Sequence, residues 1–198
     1  VGPHPLPWPT GPEFDRELLE HGDRRNVVDK YRYWTVDAIR ADLDRHRHLL
    51  HIAIENWQHD LNIGAIVRTA NAYNVAGVHI VGKKHWNQRG AMVTDKYLRM
   101  HHHPDVASFL AWAQSQALEV IGIDNVPGSQ PLETAVLPAA CVMLFGQEGP
   151  GLSEAALAGC ARVLDIRQYG STRSINASAA GAIAMFAWAL QHASHDVG

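Results

Sequence analysis

Short apolar runs that alternate with amphipathic helical stretches are the strongest constraint on the fold of this 198-residue chain. The apolar runs are Leu50–Ile54, Val78–Val81, Val120–Ile123, Val142–Phe145 and Val163–Ile166. Helical patterns lie between or after them, at residues 63–73, 105–118, 153–160 and 176–192. Strands that alternate with helices form βαβ units, in which the strands run parallel. The sequence therefore predicts an α/β fold with a largely parallel sheet flanked by helices.

The first 49 residues lack this alternation. Five prolines within residues 1–14 predict an extended or disordered arm. Thr35 is a suitable N-cap for one helix, in which Val36, Ile39 and Leu43 share a face. We therefore predict an N-terminal arm and helical appendage at residues 1–49, and an α/β domain at residues 50–198.

Charge is the next constraint. A formal net charge of −3 argues against binding of nucleic acid by bulk positive charge, so any RNA contact must come from a local patch. Residues 82–99, here called the basic segment, supply one, because they carry five basic residues against the single acid Asp95. His85, Trp86 and Tyr97 add surfaces on which bases could stack. A solvated charged loop is the alternative interpretation. The basic residues are Lys83, Lys84, Arg89, Lys96 and Arg99.

The cysteines, the hydropathy pattern and the histidines indicate the cellular compartment, membrane insertion and metal binding to expect of this protein. Cys141 and Cys160 form no disulfide framework, and we interpret both as reduced core thiols of a cytoplasmic protein. No run approaches the 18 apolar residues of a membrane span, so we expect no membrane insertion. Thirteen histidines, including His101 to His103, raise the question of metal. Consecutive side chains point in different directions and lack Cys or acidic partners at ligand spacing, so we expect no metal.

Three segments carry the residues of greatest chemical interest. In residues 60–70, Asn62 is a candidate helix cap and Arg68 neighbours a buried stripe of Ile63, Ile66, Val67 and Ala70. Residues 144–153 form a glycine-rich turn whose one ionisable group in the tight loop is Glu148, and residues 166–178 place Ser174 and Asn176 at the start of a helix. Taken singly, each has a purely structural explanation: a solvated arginine, an ordinary turn and a helix cap.

In combination and in this order, the segments N-x-G-A-I-x-R-T-A, F-G-x-E-G-x-G-L-S and S-I-N resemble the motifs of the SPOUT superfamily. The chain is similar to its SpoU/TrmH-type RNA 2′-O-ribose methyltransferases from about Ile52 to Ala189. The resemblance implies a C-terminal deep trefoil knot, an exception to the usual connection rules. It also implies that S-adenosyl-L-methionine binds in the knotted loops, and that two subunits form a homodimer with the active site at their interface.

The resemblance also assigns roles to residues. Arg68 would be the catalytic arginine, with Asn62 beside it and Glu148 orienting the site. Seven residues would surround the cofactor, chiefly through backbone contacts: Ile123, Phe145, Gly146, Ile166, Ser174, Ile175 and Asn176. The sequence departs from the family where Arg167 and Gln168 replace the usual Pro-Met after Ile166, and where Ile175 replaces a common leucine.

The predicted reaction transfers a methyl group to a ribose 2′-hydroxyl of tRNA or rRNA. Because an arginine pKa lies above about 12, Arg68 is a poor base, and it either acts with an RNA phosphate as a base or clamps the phosphate and polarises the hydroxyl. Two other hypotheses stay open. A catalytically silent knotted RNA-binding protein is disfavoured by the intact Asn62, Arg68, Glu148 and Asn176, and an enzyme acting on a small molecule is disfavoured by the basic segment.

Overall fold

A parallel sheet of seven strands forms the centre of residues His48–Gly198. The computed structural model describes residues 1–56, 62–147 and 149–193. The strands are β1 (Leu50–Asn56), β2 (Gly77–Gly82), β3 (Met100–His103), β4 (Glu119–Ile123), β5 (Gln130–Pro131), β6 (Cys141–Phe145) and β7 (Arg162–Asp165). Their order is β3-β2-β1-β6-β4-β7-β5, and every neighbouring pair is parallel. The predicted α/β class is confirmed.

Helices of the same compact unit, residues His48–Gly198, cover both faces of this sheet. Among the described residues the α-helices are α1 (Arg16–His21), α2 (Val36–Asp44), α3 (Asn62–Ala72), α4 (Val106–Ser115), α5 (Glu154–Gly159) and α6 (Ala177–His192). Helices α3 and α6 enclose a core with Ile52, Ile121 and Met143 of the sheet, while α4 and α5 enclose a second core with Ala53, Val142 and Leu144. Because side chains alternate across a strand, strands covered on both faces are largely apolar, and the buried Glu55 and Asn56 of β1 and His79 of β2 are exceptions.

Side-chain caps explain where three of these helices begin. Asp105 caps α4 by accepting from the Ser108 amide at 2.7 Å, and Ser153 caps α5 by accepting from the Ala156 amide. Asn176 caps α6 through the amides of Ser178 and Ala179. Each cap satisfies amides that have no partner within the helix. The structural explanation of residues 166–178 as a helix cap is confirmed at Asn176.

Residues Val1–Arg47 form a second compact unit. It contains two α-helices where the sequence predicted one, because Asp15 caps the short helix α1 through the amides of Glu17 and Leu18. The predicted cap of α2 at Thr35 is confirmed, and Ile39 is its fully buried apolar residue. The proline-rich segment has no regular structure, but it is tied down within this unit, since the amide of His4 donates to the carbonyl of Leu19.

Two strands of the sheet were not predicted. β3 contains three consecutive histidines, and β5 is two residues long. Neither has an apolar run, because β3 lies at one edge of the sheet and β5 at the other. The hydropathy pattern detects the central strands and misses the edges.

Candidate active site

A cavity of about 280 Å³ opens at the carboxyl ends of β4, β6 and β7. Parallel sheets generally bind ligands at this edge. The loops after these strands and the first turns of α6 form its wall. All seven residues that the resemblance assigned to the cofactor line this one cavity: Ile123, Phe145, Gly146, Ile166, Ser174, Ile175 and Asn176.

The glycine-rich loop after β6 is closed on itself. The amides and carbonyls of Gln147 and Gly151 exchange two hydrogen bonds, at 3.1 and 3.0 Å. A Cβ atom at Gly146 would lie 2.1 Å from the carbonyl carbon of Gly151, so only glycine fits there. Gly151 has a φ of +74°, a conformation that L side chains rarely adopt. The sequence therefore encodes a tight backbone wall for the cavity.

Two carboxylates accept hydrogen bonds from residues at the end of this loop. Asp124, directly after β4, accepts from the Leu152 amide at 2.8 Å and itself lines the cavity. Glu55 of β1 is fully buried and accepts from both the amide and the hydroxyl of Ser153, each at 2.8 Å. These two carboxylates anchor the loop to β4 and β1. Sequence reasoning missed both, since the contact between Glu55 and Ser153 joins residues 98 positions apart.

The start of α6 is linked to the start of α3. The side-chain amide of Asn176 donates to Oδ1 of Asn62 at 2.9 Å. Asn62 is the first residue of α3, and the position before it lies outside the described residues, so the predicted cap of α3 stays a prediction. The hydrogen bond places Asn62 beside a residue of the cavity wall. It connects the helix that carries Arg68 to the candidate cofactor site.

Arg68 lies on the exposed side of α3, opposite the stripe formed by Ile63, Ile66, Val67 and Ala70. It does not line the cavity, and it makes no ion pair or hydrogen bond with the residues that the structure describes. The Arg68 side chain is therefore exposed and lies outside the candidate cofactor cavity. Glu148, the third predicted catalytic residue, lies outside the described residues.

The basic segment is anchored at its start to β1, because the Asn56 side chain donates to the carbonyls of Lys83 and His85 at 2.7 and 2.9 Å. All five of its basic residues are exposed: Lys83, Lys84, Arg89, Lys96 and Arg99. His85 is also exposed, and Trp86 is half-buried against the core. Tyr97 is only 5% exposed, so its predicted stacking role is wrong: its ring is part of the packed interior.

The basic segment crosses α3 at two glycines. A Cβ atom at Gly64 would lie 2.8 Å from the Cα of Gly90, and one at Gly90 would lie 2.9 Å from the amide nitrogen of Ala65. The two backbones are thus in direct contact one turn before Arg68. This crossing brings the predicted RNA-binding and catalytic elements together.

A chain of buried histidines connects β1, β2 and β3. Nδ1 of His51 lies 3.0 Å from Nε2 of His79, whose Nδ1 lies 2.9 Å from Nε2 of His103. Burial lowers the pKa of His51 to about 4 and that of His79 to about 2, with like-charge repulsion from His101 as a further cause. Within the described residues, no group of three or more His, Cys, Asp or Glu is arranged to hold a metal ion.

The remaining predictions concern two reduced core thiols and the absence of membrane insertion. Both thiols are free, and burial raises the pKa of Cys141 to about 12 and that of Cys160 to about 11, so neither is a reactive thiolate. In the part of the chain that the structure describes, no helix has both the length and the apolar character needed to cross a bilayer.

Several wall residues were missed by sequence reasoning. Gln147, Gln168, Asp124 and Asn125 add polar groups to the cavity. Each follows a strand end by one to three residues, so its position in a loop was a usable signal. Their identity was not, because polar residues are ordinary in loops.

Comparison with known proteins gives one family. The model of the SpoU rRNA Methylase family matches residues 49–186. A tRNA (guanosine(18)-2′-O)-methyltransferase of Thermus thermophilus is 26% identical over 156 residues, which cover 75% of this chain and 78% of that one. An uncharacterized tRNA/rRNA methyltransferase of Mycolicibacterium vanbaalenii is 30% identical over 154 residues, covering 72% of this chain and 47% of the relative. This chain therefore spans about half the length of that relative.

The fold agrees with a solved structure. The A. aeolicus TrmH/SpoU tRNA modifying enzyme superposes with a TM-score of 0.69 at 21% identity, covering 79% of this chain and 81% of that one. At 21% identity, this similarity supports a shared fold and nothing further.

Proposed function

The chain belongs to the SpoU rRNA methylase family, and we propose that it transfers a methyl group from S-adenosylmethionine to a ribose 2′-hydroxyl of RNA at the cavity described above. It is an S-adenosylmethionine-dependent RNA methyltransferase of the SpoU/TrmH type. The observation that carries the proposal is the convergence on one cavity of all seven residues that the resemblance assigned to the cofactor.

The cavity fits an adenosylmethionine in its chemistry. Its wall combines apolar side chains with polar atoms, including two glutamines whose carbonyl oxygens are buried without a hydrogen-bond partner in the described structure. A ligand with an aromatic base, hydroxyls and an amino group matches such a wall. Ile123, Ile166 and Ile175 would hold the apolar parts, and the closed glycine loop would offer backbone groups. When bound, the cofactor supplies an electrophilic methyl group.

The protein must align the hydroxyl with that methyl group and assist removal of its proton. Arg68 serves this step by clamping an RNA phosphate and polarising the hydroxyl, because its guanidinium is exposed, always charged and bidentate. Asn62 is a positioning residue, held by Asn176. We assign Glu148 to the orientation of the site on the strength of the family motif.

RNA is held by the basic segment. Its five exposed cations, Lys83, Lys84, Arg89, Lys96 and Arg99, supply a local positive surface on a chain whose net charge is negative. The crossing of Gly64 and Gly90 fixes that surface against α3. tRNA and rRNA are both named for relatives, and either is a candidate substrate. A cytoplasmic location follows from such substrates.

A homodimer completes the site in this proposal. On α6, Ile183, Phe186 and Leu190 are 42%, 53% and 62% exposed and recur at spacings of three and four residues. Such a stripe on one helix face is typical of an interface. Of the other large apolar residues of this helix, Met185 and Trp188 are buried in the core. Since Arg68 does not line the cavity of its own chain, a second subunit would bring it to a neighbouring site.

The trefoil knot is part of the same proposal. The family resemblance carries it, and the segments after β6 and β7 that build the cavity wall are the loops in which it would form. Stretching the chain between its termini in an optical trap tests it. A knotted chain reaches a shorter final extension than its contour length, and full contour length would contradict the knot.

The central experiment measures cofactor binding and methyl transfer. Calorimetry with S-adenosylmethionine should detect binding, and transfer of labelled methyl to tRNA or rRNA should place the label on a ribose 2′-oxygen. Binding without transfer to any RNA would favour a silent RNA-binding protein. A folded dimer that binds no cofactor would contradict the proposal.

A further inference from the structure

Two glutamines of the cavity wall have buried carbonyl oxygens that accept no hydrogen bond. Oε1 of Gln147 and Oε1 of Gln168 are screened from solvent, and neither has a partner in the part of the chain that the structure describes. A buried acceptor that has lost water without gaining a donor destabilises the protein. Native structures contain few such atoms, and both of these belong to residues that line one cavity, where a turn of either amide toward a ligand with donor groups would satisfy the oxygen.

The two glutamines approach the cavity from opposite sides of β4. Gln147 follows β6 and Gln168 follows β7, and these strands are the neighbours of β4 in the sheet. The backbone of Gln147 is fixed by its two hydrogen bonds to Gly151. Gln168 follows Ile166, whose side chain packs against the core and lines the cavity. Two amides on anchored loops thus flank one binding volume.

We propose that Gln147 and Gln168 are specificity-determining residues that hydrogen-bond the adenosine part of S-adenosylmethionine. This inference rests on the proposed function of the cavity. The adenosine carries a 6-amino group and two ribose hydroxyls as donors, which are what an unpaired carbonyl oxygen needs. The terminal amide torsion of glutamine is broad, so each carbonyl turns toward the ligand at low cost.

The contact proposed for Gln168 distinguishes this chain from family members with the usual Pro-Met sequence. Family members that carry Pro-Met after the last strand have no amide at this position, whereas here Arg167 and Gln168 follow Ile166. A thioether accepts hydrogen bonds only weakly, so the substitution adds a polar contact to a site otherwise expected to bind through the backbone. Hydrogen bonds between these side chains and adenosine would make the site more selective for cofactors that carry adenosine.

The variants Gln147→Met and Gln168→Met test the proposal, since methionine keeps the length of the side chain and removes the amide. Calorimetry should show that each variant binds S-adenosylmethionine about five- to tenfold more weakly, the value of one net hydrogen bond. The melting temperature of the ligand-free variants should not fall, because the unpaired carbonyl is gone. Gln114→Met, at an exposed site on α4, is the matched control and should bind like the parent.

The outcomes separate this proposal from the function on which it rests. If the parent protein binds no S-adenosylmethionine, the proposed function fails. If the parent binds and both variants bind within twofold of it, the glutamine proposal alone is overturned. Should a methionine variant fail to fold, Gln147→Ala or Gln168→Ala replaces it, and parent and variant are titrated with S-adenosylmethionine and with analogues lacking the 6-amino group or either hydroxyl. A loss of affinity that is larger for S-adenosylmethionine than for one of the analogues supports the proposal, and equal losses for all ligands overturn it.

Discussion

Arg68 is exposed on α3 and has no polar partner among the described residues, so its replacement separates catalysis from folding. Arg68→Lys keeps the charge and loses the planar bidentate fork. We expect methyl transfer to RNA to fall by about 100-fold or more, while the melting temperature and the affinity for S-adenosylmethionine stay unchanged. Arg40→Lys, on the exposed side of α2, is the control. Near-normal turnover would remove Arg68 from the mechanism.

Glu55 is the second residue whose role has a direct test. Its two oxygens each accept from Ser153, so Glu55→Gln replaces one of these acceptor oxygens with an amide NH₂ and weakens the hydrogen bonds that Ser153 donates to the carboxylate. We expect the free energy of unfolding, measured in urea, to fall by about 1–3 kcal/mol. Glu154→Gln, at the exposed neighbouring position, should leave it unchanged. A stable Glu55→Gln protein would show that the loop needs no carboxylate.

At the level of secondary-structure elements, adding one methyl group where α3 crosses the basic segment should destabilise the protein. Gly90→Ala places a methyl group 2.9 Å from the Ala65 nitrogen, and backbone cannot yield as a side chain can. We expect a loss of about 1–3 kcal/mol in unfolding free energy and weaker RNA binding by filter assay. Gly2→Ala, which meets nothing within 4 Å, should change neither. Unaltered RNA affinity would mean that the segment binds independently of α3.

The strands and loops show which parts of the fold could be predicted from the sequence. Residues 120–123 and 142–145 are strands because both of their faces are covered, and that burial appears directly as an apolar run. The polar edge strand β3 gives no such signal. The loops of the site, with Gln147 and Gln168, follow from the strand ends, whereas the roles of Glu55 and Asp124 in holding the glycine-rich loop do not. Their contacts depend on packing between distant segments, and no local pattern records it.

For the whole molecule, the buried histidine chain predicts sensitivity to acid. The pKa of His79 is near 2 in the folded protein and about 6.5 in the unfolded chain, so the unfolded state binds more protons below pH 6.5. Stability is therefore complete above pH 6.5 and declines as pH falls toward the folded value. His79 alone should remove about 2 kcal/mol of unfolding free energy between pH 7 and pH 5.

Urea unfolding at a series of pH values checks this dependence. His79→Gln should flatten the curve between pH 7 and pH 5, whatever its effect on stability at pH 7. His102→Gln is the control, because the exposed His102 lies outside the histidine chain and should keep the parent slope. Equal slopes for the parent and the His79 variant would mean that the acid response comes from other groups.

For the whole molecule, the proposed homodimer can be tested at one residue of the apolar stripe on α6. Phe186 is 53% exposed at the middle of the stripe, so Phe186→Glu would bury two charges at a two-fold interface. Light scattering should give about twice the 21.8 kDa chain mass for the parent and the single mass for the variant. Val28→Glu, at a 63% exposed site in the Val1–Arg47 unit, is the control and should remain dimeric. Because Arg68 does not line the cavity of its own subunit, the monomer should also lose methyl transfer. An active monomer would show instead that one chain assembles the complete site.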